Sequence, residues 1–209
     1  MPTIRAHIVS FVVRHLTKRK LAACRTPLEV RAVFNSALPG AARGVTYTPA
    51  TVGGVPGEWA LADKGEAQAT LLYLHGGGYV AMSPKSHRAI TGAFALRGFR
   101  VFAADYRLAP ENVFPAALDD ATAAWTALRA GVMGPAYVAG DSAGGGLTLC
   151  LLLNLRDRGE RGPDGACVFS PWTDLAATGA SVTTNAERDP LLVPDHEGTI
   201  AAAYLGGAD

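Results

Sequence analysis

The apolar positions follow two different periods along the chain. Near the N-terminus, Ile4, Ile8, Val12 and Leu16 recur every four residues, which marks one face of a helix. Thr26-Pro27-Leu28-Glu29 then has the form of a capping box with Pro at the first helical position. Residues 3–37 therefore read as two short helices, a layer separate from any sheet. After Gly44 the pattern changes. Val45 to Thr48 and Glu58 to Leu61 read as short strands around a Gly/Pro turn, Val52 to Gly57. Apolar runs then alternate with helical stretches. The strands are Thr70 to Leu74, Arg100 to Ala104, Ala136 to Ala139 and Ala166 to Phe169. The helices are Ser86 to Arg97, Pro115 to Arg129 and Gly144 to Arg156. Near-continuous apolar strands alternating with helices predict an α/β fold with a parallel sheet covered on both faces. In such sheets ligands bind beyond the carboxyl ends of the strands, here the loops after Leu74, Ala104 and Ala139.

Composition narrows this picture. The chain has 209 residues, 49% of them apolar and 18% charged, enough for a sizeable core and unlike a disordered chain. A net charge of +1 leaves no nucleic-acid footprint. Cys24, Cys150 and Cys167 are odd in number and contain no C-x-x-C pair, which points to neither a disulfide framework nor a metal site. Cys150 and Cys167 lie in apolar runs and read as buried thiols. The apolar stretch Ile8 to Val13 is too short to span a membrane, so no stable membrane insertion is expected and the chain reads as cytoplasmic. Lys18, Arg19 and Lys20 read as a solvated helix end, with a membrane-surface contact as the alternative.

The candidate chemistry sits in two of the three loops. Gly140-Asp141-Ser142-Ala143-Gly144 is a G-x-S-x-G pentapeptide between a predicted strand and a predicted helix, which makes Ser142 a candidate nucleophile. Side chains two residues either side of such a serine would collide, hence Gly140 and Gly144. His75-Gly76-Gly77-Gly78 directly follows a strand, where bare backbone N–H groups can approach a developing oxyanion. Gly76, Gly77 and Ala143 are the expected donors, with His75, Gly78, Gly140, Asp141 and Gly144 as supporting positions. Tyr79 and Met82 are candidate pocket walls. Trp172 reads equally as a core residue or one packed under a cap. Asp105, Arg107 and Glu111 read as a local ion network, and His87 as a loop brace.

These residues together resemble the bacterial hormone-sensitive-lipase-like esterases. The resemblance rests on His75–Gly78, Asp105-Tyr-Arg-Leu-Ala-Pro-Glu111, Phe114-Pro-Ala-Ala-Leu-Asp-Asp120, Gly140–Gly145 and Ser170-Pro-Trp-Thr-Asp174, in that order. Asn112 departs from it, since the family often has His there. The resemblance implies an α/β-hydrolase fold with N-terminal cap helices at 1–42, core at 43–178 and a cap insertion at 179–209. It implies hydrolysis of small short-chain acyl esters without cofactor or metal, and a homodimer. It also implies that the catalytic acid and histidine lie beyond Asp209, so the chain reads as C-terminally truncated, with little activity alone or with a complementing C-terminal segment. Only His196 follows Ser142. With Asp174 or Asp189 it would satisfy the Ser–acid–His order, but it reads as a solvent-facing cap residue; His7 and His15 are weaker candidates. The alternatives are a receptor-like, non-catalytic small-molecule binding protein of the same fold, an inactive fragment, or a lyase using the same serine.

Overall fold

A computed structural model describes residues 3–36 and 40–206, with residues 195–197 described by their backbone alone. The N-terminal helix runs through α1 (Ile4–Val12), a π-helical stretch (Val13–Lys18) and α2 (Arg19–Ala23). α3 (Pro27–Asn35) opens on the predicted capping box, with Thr26 and Glu29 each capping the other's backbone. Residue 37, the expected end of this segment, lies outside the described residues.

β1 (Val45–Val52) and β2 (Val55–Ala62) are longer than their sequence patterns suggest. They form an antiparallel hairpin closed by Gly53 and Gly54, both at positive φ, as a two-residue turn requires. The remaining strands are β3 (Ala69–Leu74), β4 (Phe99–Ala104), β5 (Ala136–Asp141) and β6 (Gly165–Phe169). The sheet order is β1-β2-β4-β3-β5-β6, antiparallel through β1, β2 and β4 and parallel from β4 to β6. α4 (Arg88–Ala95) follows a 3₁₀ turn at Pro84–His87; α5 (Ala116–Ala130) and α6 (Ser142–Asp157) complete the crossovers.

Strand alternation divides the core between two faces. Leu72, Leu74, Phe102, Ala104 and Val138 pack with Trp125 and Leu128 of α5 and Leu147, Leu151 and Leu155 of α6. Leu71, Tyr73, Val101, Ala103 and Ala139 form the opposite cluster with Ala95 of α4. Both sides of the central strands are buried, which is why they read as unbroken apolar runs. In register, Leu74 pairs with Ala104 on one side and Gly140 on the other. The chain thus leaves β3, β4 and β5 at one level, and their three loops meet there.

Two expectations are corrected. Cys150 and Cys167 are exposed, whereas Cys24 is buried. Cys150 lies on the outward side of α6, and Cys167 lies on β6, an edge strand paired only with β5. Asp105, Arg107 and Glu111 do not pair with one another: Arg107 bonds Asp120, and Glu111 bonds Arg31 of α3. Their side chains diverge toward different elements, and burial raises the Asp105 pKa. The Ile4, Ile8, Val12 and Leu16 stripe is helical as its spacing predicts, and it faces outward, at 80%, 58%, 45% and 60% exposure. The opposite side of that helix makes the contacts instead. Arg14 donates to Glu187 O and Arg188 O, and Lys18 donates to Ala186 O and Asp189 O, all at 2.6–2.7 Å. These carbonyls follow α7 (Ala180–Thr184), ahead of α8 (Pro194–Leu205). Among the described residues, no helix is long and apolar enough to cross a membrane.

Candidate active site

Ser142 stands at the junction of β5 and α6 with φ 51°, a left-handed conformation that costs a non-glycine residue roughly 1–2 kcal/mol. The turn is that sharp because the flanking backbones nearly touch. A Cβ at Gly140 would lie 2.3 Å from Gly144 O, and one at Gly144 would lie 2.1 Å from Leu74 O. Both glycines are therefore sterically required, as the pentapeptide predicts. Trp172 N donates to Ser142 O at 2.9 Å, tying the turn to the segment after β6. Trp172 itself is partly buried, and its indole N–H donates to Asp174 O at 3.1 Å. Among the described residues none hydrogen-bonds the Ser142 hydroxyl. His196 sits in the first turn of α8, and its side chain lies outside the described residues.

The loop after β3 lies against this turn. Gly76 N–H donates to Asp141 Oδ1 at 3.0 Å, so the first of the expected oxyanion donors is already engaged. The loop passes so close to Asp141 that a Cβ at Gly76 would lie 2.4 Å from its carboxylate. Gly77 (φ 122°) and Gly78 (φ 65°) turn the chain beyond it, and neither N–H meets an acceptor among the described residues. Ala143 N–H belongs to the first turn of α6, whose donors have no partner within the helix. The free donors are thus Gly77, Gly78 and Ala143, one residue along from the expected set.

Asp141 is the hub between the two loops. Besides Gly76 N–H, its Oδ1 accepts from Tyr73 Oη at 2.7 Å and faces His87 Nε2 at 3.3 Å. Burial opposes its charge, but the bonds from His87, Tyr73 and Gly76 outweigh burial and hold its pKa below the ordinary carboxylate value. The Tyr73 phenol is pushed up by burial and then by Asp141, which keeps it a donor. His87 is fixed from behind by Ser86 Oγ, 2.9 Å from its Nδ1. It braces the loop as expected, and it does so through Asp141, the residue preceding Ser142. His75 is fully buried and stacks on Tyr106 at 4.4 Å. Its Nδ1 lies 2.7 Å from Gly76 O, an acceptor, so that nitrogen carries the proton and Nε2 is left without a partner. Burial lowers its pKa to about 4, so the ring is neutral at pH 7.

Tyr79 and Met82, expected as pocket walls, follow the glycines at φ 62° and 70°. Tyr79 is buried and stacks on Tyr204 of α8 at 3.8 Å, so it joins the loop to that helix. Ile200 of α8 lies over Gly78, where an added Cβ would meet it at 3.1 Å. Behind Ile200, a cavity of about 360 Å³ is lined by Cys24, Arg25, Val30, Val193 and Ile200 among others. Arg31 and Ile200 escaped the sequence reading as partners of the loop after β3. Each is brought there from a distant segment, and no local spacing signals it.

Comparison with known proteins agrees with this geometry. Residues 71–209 match the family described as alpha/beta hydrolase fold. An acetyl-hydrolase of Streptomyces hygroscopicus is 44% identical over 162 residues, which are 76% of this chain and 54% of that protein. The mouse (Mus musculus) hormone-sensitive lipase is 34% identical over 67% of this chain and 19% of its own length. The chain therefore spans about half of the first of these relatives and a fifth of the second. Among solved structures, EstE5 superposes with a TM-score of 0.91 at 36% identity, covering 100% of this chain and 71% of that one. An esterase from the bacterial hormone-sensitive lipase family gives 0.87 at 36% identity, with the same coverage. The chain belongs to the α/β-hydrolase fold family, in its hormone-sensitive-lipase-like branch.

Proposed function

We propose that this chain carries the nucleophile and the oxyanion hole of a carboxylic ester hydrolase for short-chain acyl esters. The observation that carries the reading is Ser142, held at φ 51° at the start of α6 beside a loop with two unengaged glycine N–H groups. In this reading, Ser142 Oγ attacks the ester carbonyl carbon and its proton passes to a base. The carbonyl oxygen takes up the negative charge and is held by the N–H groups of Gly77, Gly78 and Ala143. Collapse of the tetrahedral species breaks the C–O bond, and the alcohol leaves with the proton. Water then releases the acid from the acyl-serine. Losing one such donor costs about 3–4 kcal/mol of transition-state stabilisation.

We assign the base and its carboxylate to a completing segment outside residues 3–206, whether continuous with the chain or supplied by another. Without a base, serine is a weak nucleophile, and only the residual acceleration from the oxyanion hole and binding remains. The helices at 4–35 and 180–205 are read as a cap, supported by the Arg14 and Lys18 tethers and by Ile200 over Gly78.

Hydrolysis of p-nitrophenyl butyrate, with Ser142→Ala as control, tests the reading. Turnover by a preparation holding the completing segment is expected to fall to the uncatalysed background in Ser142→Ala. Specific ligand binding without any Ser142-dependent turnover would favour the receptor-like alternative.

A further inference from the structure

The backbone just after the oxyanion glycines is unusual. Gly77, Gly78, Tyr79 and Met82 all have positive φ, and two of them are not glycine. Such a backbone persists only where its surroundings over-determine it. Part of the support is local: Gly77 O accepts from Val80 N at 3.2 Å and from Ala81 N at 3.0 Å. Tyr79 O accepts from Ala109 N at 2.9 Å. Val80 O and Met82 N are taken by α3. Arg31 Nε donates to Val80 O at 2.5 Å, and Met82 N donates to Asn35 Oδ1 at 2.9 Å. Arg31 and Asn35 are four residues apart, so they share one face of that helix.

We propose that Arg31 and Asn35 are positioning residues for the oxyanion loop, so that α3 sets the geometry of the hole. The guanidinium is itself held in one orientation. Its Nη2 donates to Ala109 O at 2.6 Å, and its two terminal nitrogens grip Glu111 at 2.8 and 2.7 Å. A planar fork with five fixed donors can hold Val80, Ala109 and Glu111 together; a lysine ammonium cannot. The strained turn, the loop after β4 and α3 are therefore joined at one side chain. With Gly76 fixed by Asp141 at its other end, the Gly77–Gly78 segment is clamped on both sides. The clamp is a matter of geometry. Its catalytic consequence rests on the ester-hydrolase reading.

Amide hydrogen exchange of the 209-residue chain tests the clamp without requiring turnover. In Arg31→Ala, the bonded amides of Val80, Ala81 and Met82 are expected to exchange about tenfold faster, while residues 136–147 keep their wild-type rates. Arg31→Lys should recover part of the protection. Asn35→Ala, which removes a single bond, should give a smaller acceleration and serves if Arg31→Ala does not fold. Arg129→Ala, remote from the site, should change nothing there. If α3 frays while the amides of Val80, Ala81 and Met82 keep wild-type rates in both variants, Arg31 and Asn35 only anchor a helix and the proposal is overturned. In a preparation with Ser142-dependent turnover of p-nitrophenyl acetate, Arg31→Ala should lower kcat about tenfold with KM within about twofold, since a small misplacement of catalytic groups acts on rate. A raised KM at unchanged kcat would refute the catalytic part. Faster exchange with no Ser142-dependent turnover in any preparation would refute the ester reading and leave the clamp standing.

Discussion

The neighbourhood of Ser142 and the helical layer formed by residues 4–23 and 180–205 are built on different terms. Around Ser142, backbone meets backbone. Gly140 and Gly144 have no room for a methyl group, and Asp141 gathers three donors onto one oxygen. In the helical layer, Phe11 is 63% exposed and Ile4 80%, and beside the buried Leu21 and Tyr204 the attachment includes basic side chains capping the carbonyls of 186–189. Close approach demands particular residues at particular spacings, so it leaves a motif in the sequence. A tether from a long side chain to a carbonyl demands only reach, and leaves none.

The sharpest way to break this contrast is to place the same substitution in both regions. Gly144→Ala drives a methyl group to 2.1 Å from Leu74 O and 2.4 Å from His75 O. It is expected to cost about 3 kcal/mol or more by chemical denaturation. Gly198→Ala in α8 meets nothing within 4 Å and should stabilise by up to roughly 1 kcal/mol, the helix-propensity gain over glycine. Equal effects would show that the two regions are packed alike.

A pH titration of stability probes the buried side of the contrast. The folded His75 pKa of about 4 lies below the unfolded value, near 6.5, so between them the unfolded state binds more protons. Stability is then full above about pH 6.5 and falls as pH drops toward 4, by on the order of 3 kcal/mol from this residue. Urea midpoints from pH 7 to 4 should show the loss in the wild type and a flatter profile in His75→Asn. Parallel profiles would mean that water reaches His75 Nε2. The smallest effect is expected at Phe11→Ser. It removes apolar surface that the described residues leave exposed, so its melting curve should match the wild type to within about 0.5 kcal/mol. A larger loss would show that this face is covered in solution.

Most of the fold was legible in the sequence. The strands and crossover helices fall where the apolar runs and helical stretches place them, because a parallel sheet buried on both faces leaves its central strands no polar positions. The capping box at Thr26 and Glu29 was legible for a similar reason, since its bonds span three residues. Which amides of the loop after β3 stay free was legible only to within one position. The three glycines mark the loop, but the bond from Gly76 N–H to a carboxylate 65 residues away decides which of their amides stay free.

By itself, then, the sequence determined the elements, the loop cluster at the ends of β3, β4 and β5, and the serine between two obligatory glycines. Each of these depends on periodicity or on contact between near neighbours in the chain. Only the tertiary structure decided that Asp141 joins the two loops, that Glu111 belongs to Arg31 rather than Arg107, that Cys150 and Cys167 face outward, and which side of the N-terminal helix is turned inward. Those outcomes depend on side chains that meet across long separations. A linear pattern records that a residue is polar or apolar, but not which distant partner the folded chain brings to it.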